Sequence, residues 1–127
     1  MNPRVEVVAT AIVDCCIRVH RELGPGLLES VYQTCLAQEL RDRALQVECE
    51  MPYPVCYNNL VIGTGFRIDM LVEGLVVVEN KAIQGILPVH EAQLLTYLKL
   101  SGRQIGFLIN WNVPTIKQGI KRMVYRL

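Results

Sequence analysis

Apolar side chains recur every three to four positions over 4–22, where Val5, Val8, Ala9, Ile12, Cys16 and Val19 fall on one face. That spacing predicts an amphipathic helix, and Gly24-Pro25-Gly26 ends it. The same period returns from about 27 to 43 through Leu28, Val31, Tyr32, Cys35, Leu36 and Leu40, predicting a second helix. The period then falls to two. Residues 46–57 read as extended, and Pro52 and Pro54 place them at a sheet edge, because proline cannot donate to a ladder. Asn58-Asn59 suits a two-residue hairpin turn. In 60–72, Phe66, Ile68, Met70 and Val72 alternate with Arg67, Asp69 and Leu71, the pattern of a second strand. Glu73-Gly74 is a further tight turn, and 75–81 a third strand. That strand is apolar on both faces until its last three residues, the mark of a central buried strand. A loop over 85–88 leads to a helix over 89–100, ended by Ser101-Gly102. An apolar strand follows over 104–110, then a loop over 111–119 with room for one helical turn, and a final strand or helix over 120–127. The order ααβββαβ plus a tail predicts an α/β (α+β) fold: a central mixed sheet of four to five strands flanked by helices.

Composition narrows this further. The 127 residues fit one domain, 1–127, and the 51% apolar content excludes disorder. Five cysteines, at 15, 16, 35, 49 and 56, form no C-x-x-C pair and no Cys/His cluster at ligand spacing. They read as reduced core thiols of a cytoplasmic protein, not a zinc site. Arg4 followed by the apolar run 7–16 imitates a signal peptide, but Glu6 and Asp14 flank that run and no small-x-small site follows. No segment approaches the ~20 apolar residues of a membrane span. A soluble chain with no membrane partner is therefore expected, and the apolar first helix leaves a homodimer open. The net charge of +1 does not announce a nucleic-acid binder. From residue 92 onward, however, six basic residues (Lys99, Arg103, Lys117, Lys121, Arg122, Arg126) occur with no acidic one. They form either an ordinary solvated surface or a phosphate-facing patch.

The candidate chemistry sits at the end of the third strand. Period-two geometry puts Leu75, Val77, Glu79 and Lys81 on one face. A hairpin centred at 73–74 brings residue 69 near residue 78, with the register open by one residue, so Asp69 and Glu79 can converge. Two readings are open: a surfacing strand end whose charges pair with each other, or a site where two carboxylates hold a hard divalent cation beside an amine. No G-x-G-x-x-G, P-loop or Ser/His triad offers another chemistry.

Asp69 followed by Glu79-Asn80-Lys81 resembles the D…E-x-K signature of the PD-(D/E)XK nuclease superfamily. Gln93 and Tyr97, i,i+4 neighbours on one helix face, resemble the Q-x-x-x-Y element of one branch of it. Gly26, Glu29 and Tyr32 match the G-x-x-E-x-x-Y signature of the small bacterial GxxExxY proteins, which are similar to that superfamily. V-H-R-E-L-G-P-G-L-L-E-S-V-Y at 19–32, H-E-A-Q-L-L-T-Y-L at 90–98 and G-F-L-I-N at 106–110 extend the resemblance over about 5–125. The resemblance implies a nuclease fold and hydrolysis of phosphodiester bonds, with DNA as the nucleic-acid partner. It implies Mg²⁺ or Mn²⁺ held by Asp69, Glu79 and the Asn80 backbone carbonyl with help from Glu29. Lys81 would handle the water, and Gln93 and Tyr97 would orient the site. The alternative is a non-catalytic nucleic-acid-binding or oligomeric module on the same fold. Glu29 also has a local reading, as the N3 residue of a helix capped by Gly26. His20, Tyr32, Arg67 and His90 are secondary candidates. For His20 a structural role competes, for Arg67 a salt bridge, and for His90 a helix cap.

Overall fold

The computed structural model describes residues 2–126. The chain runs through α1 (Pro3–Leu23), α2 (Glu29–Asp42), β1 (Val47–Tyr57), β2 (Leu60–Val72) and β3 (Val76–Lys81). It continues through α3 (Pro88–Ser101), β4 (Ile105–Asn110) and β5 (Ile120–Val124), with a 3-10 turn at Ile116–Gly119 before the last strand. The open choice for the tail is thus a strand; its last residue, Leu127, lies outside the described residues. The five strands lie in the order β1-β2-β3-β4-β5. All pairs are antiparallel except β3/β4, which α3 joins as a parallel crossover. The expected mixed sheet is therefore present, with β1 at the edge that its prolines required. A register shift falls between Tyr53 and Val55, at Pro54.

The elements start and stop for local reasons. The Asn2 side chain accepts from Arg4 N at 2.8 Å, Pro3 opens α1, and Gly24 at φ 71° ends it. Glu29 is the first helical residue of α2 and Leu28 its N-cap, so the reading of Gly26 as cap and Glu29 as N3 is corrected. Glu29 still lies at the positive end of the helix.

Two cores sandwich the sheet. One joins α1 and α2 to Met70, Val72, Val76, Val78, Phe107 and Ile109. The other joins Leu94 and Leu98 of α3 to Ile68, Leu71, Val77 and Leu108. The apolar stripe of α1, which had left a homodimer open, is consumed in the first core. No helix among the described residues is long and apolar enough to cross a membrane.

Two departures from plain alternation position the site. The β2–β3 turn holds three residues, 73–75, because Leu75 belongs to it: Val72 pairs with Val76, and Leu75 N donates to Val72 O at 3.0 Å. Glu73 and Gly74 take φ of 54° and 66° there. The extra residue slides the register by one, so the ladder Met70↔Val78 points on to Asp69 opposite Glu79, not Val78. The second departure is a change of side. Phe66 and Ile68 pack in the α3 core, yet Met70 and Val72, at the same parity, pack in the α1/α2 core. The switch falls at Asp69, where the β1 partner Glu50 takes φ 53° and no bridge is formed between the two strands.

Candidate active site at the open end of the β2–β3 ladder

Beyond Met70↔Val78 the β2–β3 ladder stops, and the two acids take over its hydrogen bonds. Asp69 N donates to Glu79 Oε2 at 2.9 Å, and Asn80 N donates to Asp69 Oδ2 at 2.9 Å. Each carboxylate therefore replaces a main-chain acceptor on the opposite strand. This uses one oxygen of each acid. Among the described residues no buried side-chain oxygen lacks a partner, so the second oxygens, which accept no hydrogen bond there, have access to solvent.

Burial dominates the electrostatics of the pair. It pushes the Glu79 carboxyl up to about 8, with the Asp69 charge adding to it, while the Asp69 N–H and the Lys81 charge oppose it. It pushes Asp69 up to about 6, against the Asn80 N–H, with Glu29 and Glu50 adding to the rise. Burial likewise raises Glu29, and the Lys81 charge pulls it back. The Tyr97 hydroxyl is raised by burial and by the charges of Glu79 and Asp69. Glu29, Asp69, Glu79, Lys81 and Tyr97 therefore share one electrostatic neighbourhood.

The surrounding elements hold these groups in place. Tyr32, fully buried, donates from its hydroxyl to Gly24 O at 2.6 Å and accepts from Leu27 N at 3.0 Å. Its ring stacks on Trp111 at 4.9 Å. The tyrosine of the G-x-x-E-x-x-Y stretch thus clamps the loop that delivers Glu29. On α3, Tyr97 stacks on Phe66 at 4.6 Å, and half-buried Gln93 lies one turn before it. Asn110 Oδ1 accepts from Ile83 N at 3.1 Å and Asn110 Nδ2 donates to Ile83 O at 3.0 Å, fixing the chain just after Lys81.

Other candidates lie elsewhere or do other work. His20 Nε2 meets Trp111 O at 3.2 Å in the core, which is the structural role that competed with a site role. His90 Nδ1 accepts from Leu87 N at 2.9 Å and caps α3. Arg67 is exposed, and the expected salt bridge to a carboxylate is not formed among the described residues. Three of the six basic residues of the C-terminal third are engaged within the fold: Lys121 with Glu91, Arg122 with Glu6, and Arg103 with Tyr53, Gly74 O and Ser101 O. Glu50 and Gln33 were not singled out by sequence. Glu50 acts electrostatically on Asp69 and Glu29, and Gln33 Nε2 donates to it at 2.8 Å. Gln33 was legible as the i+4 neighbour of Glu29 on one helix face; nothing in the strand pattern marked Glu50.

No group of three or more His, Cys, Asp or Glu side chains close enough to hold a metal ion occurs among the described residues. The donors to consider are two carboxylates and main-chain oxygen. That set suits Mg²⁺ or Mn²⁺, which take hard oxygen ligands and keep several waters. Each acid has one oxygen anchored and one reaching solvent, so the residues present fit such an ion.

No curated protein sequence and no solved structure matches the chain. A family model of the PD-(D/E)XK nuclease superfamily matches residues 6–123. The match spans the clamped loop, the β2–β3 opening and the α3 crossover together, and the chain belongs to the PD-(D/E)XK nuclease superfamily.

Proposed function

We propose that the protein hydrolyses phosphodiester bonds of DNA with Mg²⁺ or Mn²⁺. The observation that carries this reading is the opened ladder, where buried Glu79 and half-buried Asp69, both of raised pKa, meet beside Lys81. Asp69, Glu79 and the Asn80 carbonyl would hold the ion, with Glu29 assisting from the start of α2. When bound, the ion polarises a phosphoryl oxygen and offsets the charge that builds on it. The chain's own groups do the rest. Lys81 Nζ holds the attacking water by a hydrogen bond and places positive charge beside the phosphate. Tyr97, braced by Phe66, and Gln93 orient the phosphate from the α3 side. The protein is incubated with single- and double-stranded DNA and Mn²⁺, beside Asp69→Ala and Lys81→Ala. Cleavage by the wild type that is lost in both variants supports the reading; cleavage that survives in both removes it.

A second reading has one observation in its favour. The two acids already satisfy each other's backbone, so the arrangement stands without an ion. On this reading the fold is a non-catalytic nucleic-acid-binding module. Calorimetry separates the two: absence of Mn²⁺ binding by the wild type, together with DNA binding that never leads to cutting, selects the module.

A further inference from the structure

Asn80 occupies the middle of the Glu79-Asn80-Lys81 stretch and is wholly buried against Met70 and Trp111. A buried amide left unpaired is costly, and this one is fully used. Its Oδ1 accepts from Trp111 Nε1 at 2.9 Å; its Nδ2 donates to Gln33 Oε1 at 3.1 Å and contacts Met70 Sδ at 3.2 Å. Gln33 Nε2 then donates to Glu50 Oε1 at 2.8 Å. A line of hydrogen bonds thus runs from an indole in the core to a carboxylate at the rim. Glu50 is the residue opposite Asp69 in the β1/β2 register, at φ 53°, and its charge acts on Asp69 and Glu29. An unattached glutamate at an exposed strand edge would sample many rotamers; the Gln33 amide pins one of its oxygens.

We propose that Gln33 and Asn80 are positioning residues, and that the carboxylate they fix, Glu50, serves the divalent-cation site from outside it, through water and not as a ligand, since no three acids among the described residues lie close enough to share an ion. The proposal rests on the metal-dependent reading above. An acid of this kind holds waters of the ion's shell, and groups that orient such a shell typically matter about 10–100-fold in affinity.

The test uses Mg²⁺ titrations of the full chain, followed by calorimetry and by the indole N–H resonance of Trp111, the one tryptophan present. Glu50→Gln and Gln33→Met should each weaken Mg²⁺ binding by roughly tenfold. The double variant should be no weaker than Glu50→Gln, because Gln33 acts through Glu50. The Trp111 resonance should move with Mg²⁺ in the wild type and move less in Gln33→Met, where only the path through Asn80 remains. Gln33 is half-buried on a helix, and a melt of each variant verifies folding. Binding within twofold of wild type in either single variant, losses that multiply in the double variant, or a wild-type indole signal indifferent to Mg²⁺ overturns the proposal alone. A wild type that binds no Mg²⁺ overturns the metal-dependent reading with it.

Discussion

A carboxyl that burial keeps protonated destabilises the fold once it ionises. Asp69 and Glu79 rise in the folded protein from 3.8 and 4.5 to about 6 and about 8. The folded state therefore holds more protons than the unfolded one between those values. The associated stability is fully present below about pH 4 and is lost as pH rises through about 6 and then about 8. We expect the melting temperature of the metal-free protein to fall between pH 5 and pH 8.5, other ionisations being matched by a Glu79→Gln control. That variant keeps an oxygen for Asp69 N and removes the charge, so at pH 8 it should be more stable than wild type by about 1–2 kcal/mol. Denaturant titration at pH 5 and pH 8 measures both. A stability gap that does not widen with pH contradicts the assignment. The same variant should lose Mn²⁺ binding, a case of stability gained where function is given up.

The clamp of Tyr32 belongs to the element scale. Its hydroxyl serves both Gly24 O and Leu27 N, and its ring lies on Trp111. Tyr32→Phe keeps the stacking and removes both bonds, which should cost about 1–2 kcal/mol in urea unfolding. A loss below about 0.3 kcal/mol would mean that water takes over both partners. The elements themselves were legible because periodicity is a local property: Val5 to Val19 could only be one helix face, and 75–81 only a buried strand. The register of Asp69 against Glu79 was legible only to within one residue, because nothing in Glu73-Gly74-Leu75 says that the leucine joins the turn. The change of side at Asp69 was hidden for a related reason. It coincides with positive φ at Glu50, opposite in β1, a conformation that ordinary residues rarely take. The acids and lysine were legible by type and spacing; the Glu50–Gln33–Asn80 line was not, since it joins β1, α2 and β3 across long separations.

At the scale of the whole molecule, charge sets the expectations for nucleic acid. The net charge is +1, and Arg103, Lys121 and Arg122 are engaged within the fold. Lys99, Lys117 and Arg126 remain of the C-terminal basic residues. Arg21, Arg67 and Lys81 are likewise neither hydrogen-bonded nor ion-paired among the described residues. Neutralising at most about six phosphates gives a slope of log K against log salt no steeper than about −5. Anisotropy titrations of labelled DNA between 50 and 200 mM salt, without divalent ion, should find weak binding within that limit. A slope clearly steeper would mean that the engaged residues are released on binding. Ligand linkage adds a second expectation. Mg²⁺ should raise the melting temperature at pH 8, and much less at pH 5, where the two acids retain protons. Equal shifts at both values would place the ion elsewhere.

The place where β2 and β3 part also has a consequence over evolutionary time. Apolar side chains at positions 69 and 79 would relieve the buried charge and let the two strands zip shut, so the gradient of stability runs toward closing it. A lineage released from the need for this site should seal it early, ahead of changes in the well-packed core. The trace would be homologues with a continuous sheet, no divalent-ion response and a higher melting temperature than this chain.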